Sequence, residues 1–236
     1  YVLGGNIIKT SWFKRYTPET CPTEFHAIVI GLDTAFKTKS WNDFSVITVA
    51  GITELGDIYI LKVYREKLEY PDLKRKLVNI NSVWRGRGLR GWYVEDAASG
   101  QSLIQDMRHG SSLTILPWKP GTNDKTNRCT SITPIIEGGR VFIPEEADWL
   151  DDWETELSQF PSGKHDDQVD SLVIVIDVAS KMVVTGEKFF NESIGNYIVS
   201  PDFKGDLMFG NDLHEDKYGW KGSFGQALGE FASWGE

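Results

Sequence analysis

A chain of 236 residues with 40% hydrophobic and 12% aromatic residues carries enough apolar side chains to bury a core, which excludes disorder as its basic state. No apolar run approaches the ~18 residues of a membrane span, so no membrane partner is expected. The net charge of -9 is uneven: residues 1–140 hold 19 Lys and Arg against 14 Asp and Glu, whereas residues 141–236 hold 6 against 20. A basic front and an acidic back suit a nucleic-acid enzyme with an acidic site no better than an unevenly solvated surface.

Opening on Tyr1 rather than Met, the chain is expected to be a piece of a longer protein. Tyr1 to Thr10 lack the charged-then-apolar order of a signal peptide. Cys21 and Cys129 stand far apart without zinc-type spacing, which points to a reduced environment and no zinc site.

Residues 1–24 read as an irregular lead-in, broken by Gly4-Gly5, Pro18 and Pro22. His26 to Asp33 is a short apolar run ending in an acid, the pattern of a buried strand. Phe44 to Ala50 and Asp57 to Tyr64 are further strands, with Glu54-Leu55-Gly56 as a hairpin turn, and together the three predict an antiparallel meander. After residue 70 helices and strands alternate. Pro71 to Val83 predicts a helix with Leu73, Leu77 and Ile80 inward, Gly91 to Glu95 a strand, Ser102 to Met107 a helix, and Leu113 to Pro117 a strand. Lys125 to Ile136 predicts a helix, Val141 to Ile143 a strand, Glu146 to Phe160 an acidic helix, and Asp166 to Met182 a long helix. This is an α/β pattern with parallel strands. Residues 183–236 mix Gly and aromatics with acids and hold no period, as in an acidic tail.

Two of these strands end in acids, Asp33 and Glu95, and the long helix opens with Asp166, Asp167 and Asp170. Ligands of α/β sheets gather at the carboxyl ends of strands. An acid on such a rim is partly desolvated and costly unless something positive neutralises it. Separately, each has an ordinary explanation. Asp33 can serve a turn, Glu95 can pair with a Lys or Arg, and Asp166 or Asp167 can cap its helix. Together they make a hard-oxygen cluster suited to magnesium or manganese.

The segments Gly31-Leu-Asp33-Thr-Ala35, Asn42 to Thr48, Val94-Glu95-Asp-Ala97 and Lys164-His-Asp-Asp-Gln-Val-Asp-Ser-Leu172 resemble the nuclease domain of the large terminase subunit of tailed bacteriophages. The resemblance runs from about residue 5 to 182, and its HDDQVD segment is the most specific part. It implies an RNase H-like fold over residues 25–182, a mixed five-stranded sheet of three antiparallel and two parallel strands flanked by helices. Residues 1–24 would then be a linker and residues 183–236 a tail.

The resemblance also implies a two-metal endonuclease (Mg2+ or Mn2+, two ions per site) that cleaves concatemeric viral DNA during packaging. Such an enzyme acts at the procapsid in the host cytoplasm, on double-stranded DNA. Its partners are the ATPase motor of the full-length protein, the portal and the small terminase subunit. Carried over, Asp33 bridges the metals, Glu95 is the second acid, and Asp166/Asp167 supply the third. A helical wheel through Val169, Leu172 and Ile176 points Asp166 nearer the sheet than Asp167, but only if the helix includes Asp166.

Asp43, Asp170 and His165 are expected around these acids, and Lys37, Lys39, Lys119 and Lys125 near phosphates. The chain lacks GxxxxGK[ST], so ATP hydrolysis is expected to lie outside it. The alternatives are a Holliday-junction resolvase or transposase-type nuclease of the same fold, and an actin-like or sugar-kinase fold, which would need Gly-rich phosphate loops. The non-enzymatic alternative is a packaging-complex docking module.

Overall fold

The computed structural model describes residues 7–34, 44–96, 98–110, 113–121 and 124–184. Seven strands form one sheet: β1 (Lys14–Tyr16), β2 (Ala27–Asp33), β3 (Ser45–Ile52), β4 (Ile58–Glu66), β5 (Leu89–Glu95), β6 (Ile115–Trp118) and β7 (Val141–Pro144). The helices are α1 (Tyr70–Arg85), α2 (Ala98–Gly110), α3 (Lys125–Glu137), α4 (Leu150–Gln159) and α5 (Asp167–Val184). The strand order is β1-β7-β4-β3-β2-β5-β6.

β2, β3 and β4 form the expected antiparallel meander. Its turn is closed by Gly56 N–H donating to the Thr53 carbonyl at 2.9 Å. Gly56 has φ 81°, a left-handed conformation that costs a residue without Cβ little. β5 and β6 add in parallel on the β2 side.

Among the described residues the sheet has seven strands rather than five. The two extra ones extend the β4 edge, where β7 pairs parallel to β4 and β1 parallel to β7. An uncovered β4 would leave a row of backbone donors and acceptors without partners, and two short segments are enough to occupy it. The segment read as irregular thus supplies an edge strand. Ile8, Phe13 and Tyr16 of the same stretch are buried.

Alternation along β2 decides which layer each side chain enters. Ala27 and Val29 join a core with α3, α4 and α5, whereas Ile28, Ile30 and Leu32 join a second core with α1 and α2. Gly31 and Asp33 follow Ala27 and Val29 in the period of two, so Asp33 emerges on the α5 side. α1 is the expected amphipathic helix, burying Leu73, Leu77, Ile80 and Trp84. The acidic helix begins at Leu150, later than Glu146.

α5 is buried nearly all round, through Val169, Leu172, Val173, Ile174, Val175, Ile176, Val178 and Ala179. Burial stabilises by roughly 1.5–3 kcal/mol for each large aliphatic side chain, so this helix is held firmly. No described helix is long and apolar enough to cross a membrane.

Candidate metal centre

The acids converge because the sheet register and α5 bring them to one rim. Leu32 and Val94 are partners on the parallel pair β2 and β5. Asp33 and Glu95 each lie one residue further on, on strands about 4.8 Å apart. Over them passes the first turn of α5. Its approach is close: a Cβ built on Gly31 would stand 2.8 Å from the Ser171 carbonyl and 2.8 Å from Val175 Cγ1. Only glycine two residues before Asp33 lets the helix backbone come this near.

α5 begins at Asp167, and Asp166 stands just ahead of it, its carbonyl accepting from Asp170 N–H at 3.0 Å. The side chains of Asp166, Asp167 and Asp170 are 38%, 19% and 11% exposed. With the helix starting at Asp167, the helical-wheel expectation does not apply. Asp166 lies outside the helix and is the most exposed, while Asp167 and Asp170, one turn of the same face, reach further in.

The electrostatics follow the same order. The Asp33 carboxyl is pushed well above the usual range by burial, then by the negative charges of Asp170, Asp167 and Glu95, with Lys125 opposing. Asp167 is pushed up to about 6 by burial and then by Glu156 and Asp166. Asp170 is raised by burial, against the pull of Lys125. An acid cluster whose members oppose each other's ionisation is one that extra positive charge stabilises.

α3 supplies two cations to the cluster. Asp124 caps that helix, accepting from Asn127 N–H at 2.8 Å, and so presents Lys125 at its first position. Lys125 Nζ lies 2.8 Å from Asp166 and 2.6 Å from Asp170. Burial alone would lower the Lys125 pKa, yet hydrogen bonds to the two carboxylates raise it. One turn on, Arg128 donates to Glu95 at 2.9 Å. Among the described residues, no three or more His, Cys, Asp and Glu side chains stand close enough together to form a metal cage. The donor set is nonetheless all carboxylate oxygen, the chemistry of a hard divalent cation.

Of the residues anticipated in sequence, Glu95, Asp167, Asp170 and Lys125 are near enough to act on the charge of Asp33, and Asp166 is tied to them through Lys125. His165 Nδ1 is 3.9 Å from Asp167, and its ring stands edge-on to Phe44. Lys119 is exposed just beyond β6. Lys37, Lys39 and Asp43 lie outside the described residues. Three contributors went unnoticed in the sequence: Arg128, and the buried pair Glu156 and Gln168. Glu156 accepts from Gln168 backbone N–H at 2.6 Å and from its Nε2 at 2.8 Å.

A mixed sheet with an antiparallel meander, parallel strands added beside its first strand, and acids at the ends of the central pair defines the RNase H-like class of α/β proteins. Within that class, the terminase RNaseH-like domain family matches residues 30–177. The chain belongs to that family.

No curated relative matches it by sequence. Among solved structures, the large terminase of a thermophilic bacteriophage in complex with ADP superposes with TM-score 0.55 and 12% identity, over 73% of this chain and 43% of that protein. The present chain thus spans less than half of that terminase. The large terminase nuclease of thermophilic phage G20c with bound magnesium has TM-score 0.50 and 18% identity, over 71% of this chain and 93% of its own. The P22 large terminase nuclease domain has TM-score 0.50 and 16% identity, over 71% and 87%. Family membership favours a terminase over the resolvase and sugar-kinase alternatives.

Proposed function

We propose that this chain is the metal-dependent DNA endonuclease part of a large terminase, cleaving concatemeric viral double-stranded DNA during genome packaging. The observation that carries the proposal is the charge coupling at the end of β2: Asp170, Asp167 and Glu95 each raise the cost of ionising the buried Asp33. Terminase family membership and the magnesium bound by the G20c nuclease support the same reading.

Asp33, Glu95, Asp166 and Asp167 are the proposed ligands of two magnesium or manganese ions, with Asp170 beside them. When bound, two such ions activate water and neutralise charge developing on a phosphodiester. The protein's own part is to hold the carboxylates on rigid elements, the ends of β2 and β5 and the start of α5, so that little reorganisation is left for the reaction. His165, 3.9 Å from Asp167, and Asp43 are proposed to belong to the same surroundings. Lys37, Lys39, Lys119 and Lys125 would meet backbone phosphates, which gives affinity without strong sequence preference.

Residues 25–182 are the proposed nuclease unit, to which the lead-in contributes the edge strand β1 and the buried Ile8, Phe13 and Tyr16. Residues 1–24 also carry the proposed connection to the ATPase motor, and residues 183–236 are the proposed acidic tail. The portal and small terminase subunit are the proposed partners, at the procapsid in the host cytoplasm.

The test is conversion of supercoiled plasmid to nicked and linear forms in magnesium, manganese and chelator. The expected result is cleavage with either metal, none in chelator, and none by Asp33→Asn. Full metal-dependent cleavage by Asp33→Asn would overturn the assignment, and no cleavage by the unaltered chain would favour a docking role.

A further inference from the structure

The acid-bearing helix presents a mechanical problem. α5 packs through Val169, Leu172, Val173 and Ile176, and because aliphatic attraction is non-directional it fixes rotation and axial position less sharply than hydrogen bonds do. Yet carboxylates that hold a metal must be placed to within about half an ångström. Directional contacts add that precision.

Two buried polar contacts do so, each made by the residue directly after one of the deep acids. After Asp167 comes Gln168, 1% exposed, whose backbone N–H and side-chain amide both donate to the carboxylate of Glu156 on α4. After Asp170 comes Ser171, whose hydroxyl is 2.8 Å from the hydroxyl of Thr48 on β3, both fully buried. The helix start leaves N–H groups without helical acceptors, and Glu156 satisfies one of them from another element. Glu156 is itself 7% exposed, with Arg65 of β4 at 3.4 Å. A buried carboxylate is expensive unless its bonds are made, so this arrangement tolerates little displacement of α5.

We propose that Glu156, through its paired hydrogen bonds to Gln168, is a positioning residue that sets the rotation and height of α5 and thereby places Asp167 and Asp170 for the metal ions, with Thr48–Ser171 as the second point of fixation. Arg65 extends the fixation outward: its guanidinium lies 3.7 Å from the Phe44 ring centre, and Phe44 in turn packs against His165. The proposal rests on the reading of the acids as a metal site.

The experiment is calorimetric titration of the full chain with Mn2+, alongside thermal unfolding in chelator. Glu156→Gln is expected to weaken Mn2+ binding roughly tenfold or more, the usual cost of losing a group that orients a metal ligand. Glu156→Gln also removes a negative charge, so Gln168→Ala, which keeps the charge of Glu156 and its bond from the backbone N–H of residue 168 and removes only the side-chain bond, is the deciding variant. It is expected to weaken binding in the same direction. The exchange Glu156→Gln with Gln168→Glu restores donor opposite acceptor and is expected to recover affinity.

Leu77→Ala, in the opposite core layer, is expected to lose stability with Mn2+ affinity unchanged, which separates positioning from general weakening. Should Glu156→Gln fail to fold, Gln168→Ala and the exchange still decide. Unchanged affinity in Gln168→Ala, with normal binding by the unaltered chain, overturns the positioning role and leaves the metal site standing. Absence of Mn2+ binding by the unaltered chain overturns both.

Discussion

Replacing Asp167 by Asn should make the protein more stable in chelator, although it removes an acid from the proposed centre. The carboxyl is 19% exposed and its pKa is pushed up to about 6, from an ordinary 3.8, by burial and the charges of Glu156 and Asp166. Below about pH 4 the group is neutral in folded and unfolded chain alike and contributes nothing. Between about pH 4 and 6 the unfolded chain releases the proton first, so folding stability falls as pH rises through that window and stays lower above it. At 1.36 kcal/mol per tenfold change in proton affinity, the loss at pH 8 is bounded by about 3 kcal/mol, and solvent screening of this partly exposed group brings it lower. Partial relaxation of the neighbouring Glu156 and Asp166 will reduce it.

Asp167→Asn keeps the shape and removes the charge. In chelator at pH 8 its melting temperature should therefore rise, by about 2–4 °C for each kcal/mol recovered, and the gain should vanish near pH 4. Adding Mg2+ should reverse the order, because the ions stabilise the unaltered chain and have one ligand fewer in the variant. Differential scanning fluorimetry at pH 4, 6 and 8, with and without Mg2+, reads all of this. A melting temperature for Asp167→Asn at or below that of the unaltered chain at pH 8 in chelator would refute the claim that like charge and burial dominate at this acid.

Two further perturbations probe the same rim. Gly31→Ala places a Cβ 2.8 Å from the Ser171 carbonyl. The overpacking should cost about 1–3 kcal/mol by chemical denaturation, and the displaced α5 should lower plasmid cleavage more than DNA binding; equal cleavage would mean that α5 need not lie so close. Lys125→Met removes the ammonium shared by Asp166 and Asp170. The variant should gain more melting temperature from saturating Mg2+ than the unaltered chain does, while the salt dependence of its DNA binding becomes shallower by about one phosphate contact. A smaller Mg2+ gain would show that Lys125 does not offset the charge the metal must neutralise.

Asp33 and Glu95 were legible because each ends an unbroken apolar run, and a strand that is buried until its last residue delivers that residue to the rim. α5 was legible from the stripe of Val169, Leu172 and Ile176. Its start was not: Asp166 and Asp167 are both good first-turn residues, and one residue of difference exchanges which acid faces inward. Arg128 carries no local signature, because its partner Glu95 lies 33 positions away. Glu156 did leave a trace. It falls three residues after Trp153 and directly before Leu157, both buried, on the inward face of an otherwise acidic helix. An acid on an apolar stripe is the mark of a buried contact. β1 left none, since Lys14-Arg15-Tyr16 becomes a strand only through the edge that β7 offers it.

Crystals of the full chain soaked in Mn2+ and measured at the manganese absorption edge would test the metal centre most directly. Two anomalous peaks within bonding distance of Asp33 oxygens, one touching Glu95 and the other the acids at the start of α5, are the predicted result. Peaks elsewhere, or none at this rim in crystals of a preparation that cleaves DNA with Mn2+, would contradict it.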